Sequence, residues 1–311
     1  MTRILVTPRS LTAAPGDTLA ALAAAGFEIV CSPAGRQPSE DELVALVRGC
    51  HGWLAGVEPI TARVLAAATD LRVISRNGTG IDSIDLPAAE SRGIRVMTAG
   101  GANARAVAEL TLALMLAGLR NLPESAAAMK DGKWLRREGR ELSAATVGLV
   151  GCGAIGRRVA GMLAGFGTAI WAYDVMPDPG FRPADDFAWT DLDTLADTCG
   201  IVSFHCPAEP GAPPLFGADR IARLPRGAGI VNTARASLVD EGALLAALES
   251  GAVGWYATDV FAVEPPGLTA LVAHPRVIAV PHIGAYTAEG GRAASRVAAD
   301  NLVAALASDT R

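Results

Sequence analysis

The stretch Thr146-Val-Gly-Leu-Val-Gly-Cys-Gly-Ala-Ile-Gly156 decides the fold, because it joins a short apolar strand to a glycine-rich turn. A helical pattern follows the turn as far as about Phe166. A second apolar run, 169–173, then ends in Asp174, about 20 residues after the glycines. This order of strand, turn, helix, strand and acid is typical of a βαβ unit that binds a dinucleotide.

Each glycine of this G-x-G-x-x-G turn has a physical role in such a unit. Gly151 permits the tight turn, Gly153 lets the backbone approach a pyrophosphate, and Gly156 lets the helix and the strand pack closely. The helix begins with Ala154 and Ile155, so its first N–H groups and its positive end are available to phosphates. The sequence therefore predicts a pyrophosphate site built from backbone groups.

Asp174 is placed to bind ribose hydroxyls and to repel a 2′-phosphate. It favours NAD over NADP as the cofactor, while Arg182 leaves NADP open as an alternative. Two other interpretations of the turn are a strand-to-helix connection without a ligand and a methyltransferase loop for a nucleoside cofactor. The third glycine and the downstream Asp174 favour the dinucleotide over both.

Short apolar strands alternate with helical patterns along almost the whole chain, in two series. A long helical pattern, from about Ala102 to Asn121, separates the two series, and a final one, 287–307, fits either of them. Continuous apolar strands separated by helices indicate parallel sheets covered on both faces. We therefore predict an α/β protein with two doubly wound parallel-sheet domains. The strand patterns lie at 3–7, 27–31, 51–55, 71–75 and 94–98, then at 146–150, 169–173, 200–204, 228–232, 254–258 and 277–280.

The composition argues against several classes of protein. The chain has 311 residues, of which 50% are hydrophobic and 19% charged, and its formal net charge is −5. This length suggests about two domains, and the charge provides no basic face for nucleic acid. The longest apolar helical run, Ala106–Leu119, contains Glu109 and is shorter than the ~20 residues of a membrane span. We expect neither a nucleic-acid partner nor a membrane.

Cysteine and histidine are too scattered to suggest a metal site. The five cysteines and four histidines show no C-x-x-C or H-E-x-x-H spacing, so no metal is predicted. An odd number of cysteines without a secretory signal fits a reducing compartment better than a disulfide framework. We therefore expect a cytoplasmic location.

Three polar side chains, Arg235, Glu264 and His282, each come shortly after an apolar strand of the second series. Ligand sites in open α/β sheets lie at the carboxyl ends of strands, so the three can converge. A guanidinium can bind a carboxylate through two hydrogen bonds, an imidazole can exchange a hydroxyl proton, and a carboxylate can orient that imidazole. Taken alone, each residue could also be a solvated charge on the surface or a hydrogen-bonded residue of a turn. Together they predict hydride transfer at a 2-hydroxy acid.

The motifs around these residues resemble those of the D-isomer-specific 2-hydroxyacid dehydrogenase family. The matching motifs are GCGAIG with Asp174, NTARASLVDEGAL with Arg235, DVFAVEPP with Glu264, PHIGA with His282 and, in the first half, GTGIDSIDL at 78–86. The resemblance implies a Rossmann nucleotide-binding domain, 100–284, inserted into a flavodoxin-like substrate-binding domain, 1–99 plus 285–311. It also implies NAD as the cofactor, a small 2-hydroxy or 2-keto acid as the substrate, and a homodimer.

The resemblance also implies a role for individual residues. Arg235 would bind the substrate carboxylate, His282 would be the acid/base and Glu264 would support it. Asp259 would meet the nicotinamide carboxamide. Further residues would surround the ligands: Cys206, Thr233 and Gly284 beside the cofactor, Thr79 beside cofactor and substrate, and Gly78 and Gly80 in a substrate-binding loop.

Arg76 and Arg136 make the chain most similar to 3-phosphoglycerate dehydrogenases, in which such arginines contact the substrate phosphate. On this basis 3-phosphoglycerate is the leading substrate, ahead of hydroxypyruvate or glyoxylate. Two positions depart from the pattern: Ala55 stands where a further phosphate-binding arginine is usual, and the acid Glu58 lies close by. A different class is also open, an NAD(H)-sensing protein similar to the family's corepressors.

Overall fold

In a computed structural model, which describes residues 1–14 and 16–307, the chain divides into two compact units. Unit 1 comprises Met1–Asn103 and the C-terminal segment from Ala288, and unit 2 comprises Ala104–Thr287. The boundaries expected from the sequence, after residues 99 and 284, fall slightly earlier, because the division follows the starts of the helices at Ala104 and Ala288. Residues 308–311 of the expected substrate-binding segment lie outside the described residues.

Unit 1 contains a five-stranded, all-parallel sheet with the strand order β2-β1-β3-β4-β5. Its strands are β1 (Arg3–Val6), β2 (Glu28–Cys31), β3 (Gly52–Ala55), β4 (Val73–Arg76) and β5 (Arg95–Thr98). The connecting helices are α1 (Arg9–Ala13), α2 (Asp17–Ala24), α3 (Glu40–Leu46), α4 (Ala62–Ala67) and α5 (Leu86–Glu90). This order is that of flavodoxin-like folds.

Unit 2 contains a seven-stranded, all-parallel sheet with the order β12-β11-β10-β9-β6-β7-β8. Its strands are β6 (Thr146–Val150), β7 (Ala169–Tyr173), β8 (Phe187–Trp189), β9 (Ile201–Phe204), β10 (Ala228–Asn232), β11 (Val253–Thr258) and β12 (Val277–Ala279). Its helices are α6 (Ala104–Leu119), α7 (Leu122–Lys130), α8 (Ala154–Ala164), α9 (Leu192–Thr198), α10 (Ala218–Arg223) and α11 (Glu241–Ser250). The prediction of two doubly wound parallel sheets is confirmed.

The last helix, α12 (Ala288–Ala307), belongs to unit 1. Its apolar pattern alone fitted either unit, whereas the family resemblance implied this one. Its residues Leu302 and Leu306 are buried against Ile4 and other residues of the first sheet. Gly52 at the start of β3 lets this helix approach closely, since a Cβ there would lie 3.0 Å from the Leu306 side chain. The helix therefore covers one face of the sheet.

In both units the strands end at one edge of the sheet, because all strands are parallel. Strands β9 and β10 are buried along their whole length, as expected for strands covered on both faces. Among the described residues, no single helix is long and apolar enough to cross a membrane. Helices α6 and α7 reach that length and apolarity only when they are taken together, and the two are bent by 67° at the break between them.

Candidate active site

The glycine-rich turn after β6 packs against the loop that follows β9. Gly151 has a φ of +94°, and a Cβ there would lie 2.7 Å from the backbone nitrogen of Cys206. A Cβ at Gly156 would lie only 2.2 Å from the Gly151 carbonyl oxygen. At Gly153, in contrast, nothing lies within 4 Å of an added Cβ, so a ligand can reach the backbone there. The turn therefore fits a pyrophosphate group.

The N-terminus of α8 supplies hydrogen-bond donors beside this open space. Gly153 is the N-cap, no side chain caps the helix, and its first turn contains no acidic residue. The N–H groups of Ala154 and Ile155 precede the first intrahelical hydrogen bond, which Arg157 donates to Gly153. This helix end therefore keeps its positive partial charge for an anion.

Asp174 is held at the end of β7 by two backbone groups. Its Oδ2 accepts the N–H of Cys152 at 2.7 Å, and its Oδ1 accepts that of Met176 at 3.0 Å. Each oxygen has a further lone pair, which suits a ribose hydroxyl. Arg182 donates to the carbonyl of Asp185 at 2.9 Å.

Cys206 and Thr233 follow β9 and β10 at the same edge of the sheet. Burial raises the pKa of the Cys206 thiol to about 11, so it is a packing group and not a nucleophile at neutral pH. The Thr233 hydroxyl lies 3.0 Å from that of Thr111 on α6. His205, next to Cys206, lies 2.9 Å from the Ser203 hydroxyl through Nε2, and burial lowers its pKa to about 3.

His282 and Glu264 form a hydrogen-bonded pair. The imidazole Nδ1 lies 2.7 Å and 2.9 Å from the two oxygens of Glu264. Both side chains are partly exposed, at 53% and 39%. With Nδ1 held by the carboxylate, Nε2 is the nitrogen that can exchange a proton with a substrate. His282 also has a φ of +51°, a conformation that is rare for a non-glycine residue and typical of functional sites.

Asp259 positions the loop that carries His282. Its Oδ1 accepts the N–H of Ile283 at 2.6 Å and its Oδ2 accepts that of Gly284 at 2.8 Å. A Cβ at Gly284 would lie 2.8 Å from Asp259 Oδ2, so only glycine fits there without a shift. Burial raises the pKa of Asp259, while the two amide hydrogen bonds favour its charged form. The structure thus shows Asp259 engaged with backbone amides.

Arg235 follows β10 in a turn that is held by Asn232. The Asn232 side chain donates to the Arg235 carbonyl at 2.8 Å and accepts the N–H of Ala234 at 3.0 Å. The Arg235 guanidinium donates to the Ala234 carbonyl at 2.7 Å. Asn232 is fully buried and acts on Arg235 through the backbone. Sequence reasoning missed its role, although its place at the end of an apolar strand could have indicated it.

Unit 2 therefore brings Arg235, Glu264 and His282 to the carboxyl ends of β10, β11 and β12, which are neighbouring strands. The predicted cofactor residues of unit 2 follow β6, β7, β9, β10, β11 and β12 at the same edge, whereas Thr79 follows β4 of unit 1. Arg136 is exposed and lies in the segment after α7.

In unit 1, the predicted substrate loop follows β4. The Arg76 guanidinium donates to the Asn77 carbonyl, and a Cβ at Gly78 would lie 2.1 Å from the Arg76 side chain. Gly78 has a φ of +147°, a conformation that other residues rarely adopt, so the backbone favours glycine there. The Thr79 hydroxyl lies 3.3 Å from the Asn103 side chain, which ties the loop to the end of the unit. Gly80 continues this partly exposed turn.

Comparisons with known proteins agree with this site. Residues 112–284 match the family model described as "D-isomer specific 2-hydroxyacid dehydrogenase, NAD binding domain". The chain is 39% identical over 254 residues to D-3-phosphoglycerate dehydrogenase of Homo sapiens, covering 81% of this chain and 48% of that protein. It is also 39% identical over 238 residues to hydroxypyruvate reductase of Thermotoga maritima, covering 75% of this chain and 77% of that protein.

A solved structure, that of the TT0316 protein from Thermus thermophilus, matches with a TM-score of 0.87 and 35% identity, covering 99% of this chain and 97% of that one. The chain spans about half the length of the phosphoglycerate dehydrogenases that it matches. The family model covers more than half of the chain and includes the glycine-rich turn, Arg235, Glu264 and His282, and its domain binds NAD. The chain belongs to the D-isomer specific 2-hydroxyacid dehydrogenase family.

Proposed function

We propose that this protein is an NAD-dependent oxidoreductase that interconverts a small D-2-hydroxy acid and its 2-keto acid. The observation that carries the proposal is the pair of His282 and Glu264, on the same sheet edge as Arg235 and a pyrophosphate-binding turn. A domain that only binds a dinucleotide does not need a histidine that is hydrogen-bonded to a carboxylate. An acid/base beside an anion-binding guanidinium is what a 2-hydroxy acid needs.

His282, Glu264 and Arg235 each have a separate role in the proposed reaction. NAD, held by the glycine-rich turn and Asp174, would supply the acceptor for the hydride of C2 of the hydroxy acid. Nε2 of neutral His282 takes the proton from the hydroxyl, so that C2 and its oxygen become a carbonyl. Glu264 stabilises the imidazolium that forms, and Arg235 holds the substrate carboxylate. In reduction, Nε2 of His282 returns the proton to the oxygen on C2. Because reduction consumes a proton overall, low pH favours reduction and high pH favours oxidation.

Two kinds of substrate remain candidates. 3-Phosphoglycerate is supported by the phosphoglycerate dehydrogenase relatives and by Arg76 and Arg136. Hydroxypyruvate or glyoxylate is supported by the hydroxypyruvate reductase relative and by Ala55 and Glu58 at the end of β3.

The test is NADH oxidation by the purified protein with phosphohydroxypyruvate, hydroxypyruvate and glyoxylate side by side, with NADPH as the cofactor control. Turnover of any of the three with NADH supports the proposed reaction. Tight NADH binding without turnover of any of them would overturn it in favour of an NAD(H)-sensing protein. Equal rates with NADPH would contradict the role given to Asp174.

We also propose a homodimer and a cytoplasmic location. Exposed apolar side chains cluster along 122–135, namely Leu122, Met129, Trp134 and Leu135, and such clusters mark interaction surfaces. All five cysteines are free, which suits a reducing compartment. Sedimentation velocity should show a dimer of the 31.8 kDa chain, and Trp134→Glu should shift it towards the monomer. A wild-type monomer at micromolar concentration would refute the dimer.

A further inference from the structure

The middle residue of the glycine-rich turn, Cys152, is held on both sides by side chains from outside the turn. Its N–H donates to Asp174 Oδ2 at 2.7 Å, and its carbonyl accepts a hydrogen bond from Arg157 Nε at 3.1 Å. The N–H of Gly151 donates to the Tyr173 carbonyl at 2.8 Å. The turn is therefore tied both to the end of β7 and to the first turn of α8.

The hydrogen bond to the Cys152 carbonyl also fixes the direction of the next N–H group. The peptide between Cys152 and Gly153 is trans, and in a planar trans peptide the carbonyl and the N–H point to opposite sides. Gly153 is exposed, and nothing lies within 4 Å of a Cβ added there. Arg157 therefore sets the orientation of an N–H at the position where the turn is open to a pyrophosphate.

The same guanidinium holds the loop that follows β7. Arg157 Nη1 donates to Asp178 Oδ2 at 2.9 Å, and this bond holds the pKa of Asp178 below its usual value. The guanidinium carbon lies 4.7 Å from the centroid of the Phe181 ring. The Asp178 carbonyl accepts the indole N–H of Trp189 on β8 at 3.2 Å. Arg157 thus connects the glycine-rich turn with the loop that begins at Asp174.

These contacts favour a role in positioning over a general contribution to folding stability. The side chains of Arg157 and Asp178 are 40% and 44% exposed, and ion pairs with such exposure contribute little to stability. Arg157, however, contacts a carbonyl, a carboxylate and an aromatic ring at once. A planar guanidinium with several fixed donors can do this, whereas a lysine ammonium cannot reproduce the geometry.

We propose that Arg157 is a positioning residue for the cofactor. It holds the peptide between Cys152 and Gly153, together with the loop after Asp174, in the arrangement that receives the diphosphate and the adenosine ribose of NAD. Arg157 acts through these groups and needs no contact with the cofactor itself. Because this role concerns cofactor binding, it does not depend on the substrate or on the reaction proposed above.

The experiment measures the affinity of the purified protein for NADH and for ADP by calorimetric titration. ADP contains the adenosine ribose and the diphosphate but no nicotinamide. Arg157→Met removes both hydrogen bonds and keeps an unbranched apolar stem, and Arg157→Lys keeps the positive charge. Arg158→Met, which removes the charge of the neighbouring exposed arginine on α8, is the matched control. Thermal melts without ligand show whether each variant folds.

Arg157→Met should weaken the binding of both NADH and ADP about tenfold, the size expected when a hydrogen bond from a charged group is lost. Arg158→Met should bind both ligands like the wild type. Arg157→Lys should recover only part of the lost affinity, because an ammonium does not reproduce the fixed donors of the guanidinium. The melting temperatures of the three variants should stay close to that of the wild type.

A folded Arg157→Met variant with wild-type affinity for NADH overturns the proposal. So does an equal loss in Arg158→Met, which would assign the effect to the charge of the helix, or a loss for NADH without one for ADP. If Arg157→Met does not fold, wild-type affinity of Arg157→Lys overturns it, as does a wild type that binds neither ligand. A wild type that binds both ligands but reduces no keto acid would refute only the proposed reaction.

Discussion

His282 has two features that a turn residue does not need, a left-handed backbone and a carboxylate on Nδ1. If it is the acid/base, His282→Ala should lower kcat by roughly 10² or more, as loss of such a group does. The dissociation constant for NADH should stay near the wild-type value, because the glycine-rich turn is untouched. His274→Ala, which removes a histidine elsewhere in unit 2, is the control. Near-normal turnover of His282→Ala would show that His282 is not the acid/base.

Glu264 acts through His282, so its effect should depend on that residue. Glu264→Gln should lower kcat about tenfold or more, because an amide cannot stabilise the imidazolium by charge. In the His282→Ala background the same change should add almost nothing, since residues that act as a unit are not additive. Steady-state kinetics of the two single variants and the double variant measure this. Fully additive losses would show that Glu264 has a separate role.

The sequence could indicate which residues form the site but not how each is held. Arg235, Glu264 and His282 were identifiable because each follows an apolar strand within a longer motif. The bonds from Asp259 to the backbone of Ile283 and Gly284 span more than twenty residues and leave no local pattern. The buried place of Glu58 likewise depends on Thr7, from a different strand end.

At the scale of elements, the turn between β6 and α8 depends on the absence of a Cβ. Gly156→Ala would put a methyl group 2.2 Å from the Gly151 carbonyl oxygen, so α8 must move away from the turn. We expect NAD binding to weaken at least tenfold, measured by calorimetry. Gly161→Ala lies on the same helix with nothing within 4 Å of its Cβ, so it should bind NAD normally and be slightly more stable. Equal affinities of the two variants would contradict this view of the turn.

The elements that sequence reasoning missed are short or lie at breaks in the pattern. Strand β8 has three residues at the edge of its sheet and follows two acids, Asp185 and Asp186, so it lacks a long apolar run. Helix α7 was not predicted: the long helical pattern was expected to end at about Asn121, the residue with a φ of +49° at which α7 begins. Asparagine adopts this conformation more readily than most residues, but nothing in the apolar pattern marks it.

At the scale of the whole molecule, the two sheets were predictable because buried parallel strands give continuous apolar runs. The apolar stripe of α12 did not show which sheet the helix covers, because it could cover either one, and only the family resemblance implied the first. Its place is decided by contacts with residues near the N-terminus, such as Ile4, and by the missing side chain at Gly52. Both determinants lie far away in sequence, in the first strands of the chain.

The stability of the molecule should depend on pH through His205, which is neutral in the fold because burial lowers its pKa to about 3. In the unfolded chain its pKa is about 6.5, so below that pH unfolding takes up a proton and becomes more favourable. The free energy of unfolding should therefore fall between pH 6.5 and 5 by about 2 kcal/mol more in the wild type than in His205→Gln. Glutamine can keep a hydrogen bond to Ser203 but does not titrate. Urea unfolding of both proteins at pH 7 and pH 5 measures the difference, with His274→Gln as a control that should follow the wild type. The same pH dependence in His205→Gln as in the wild type would show that folding does not lower the pKa of His205.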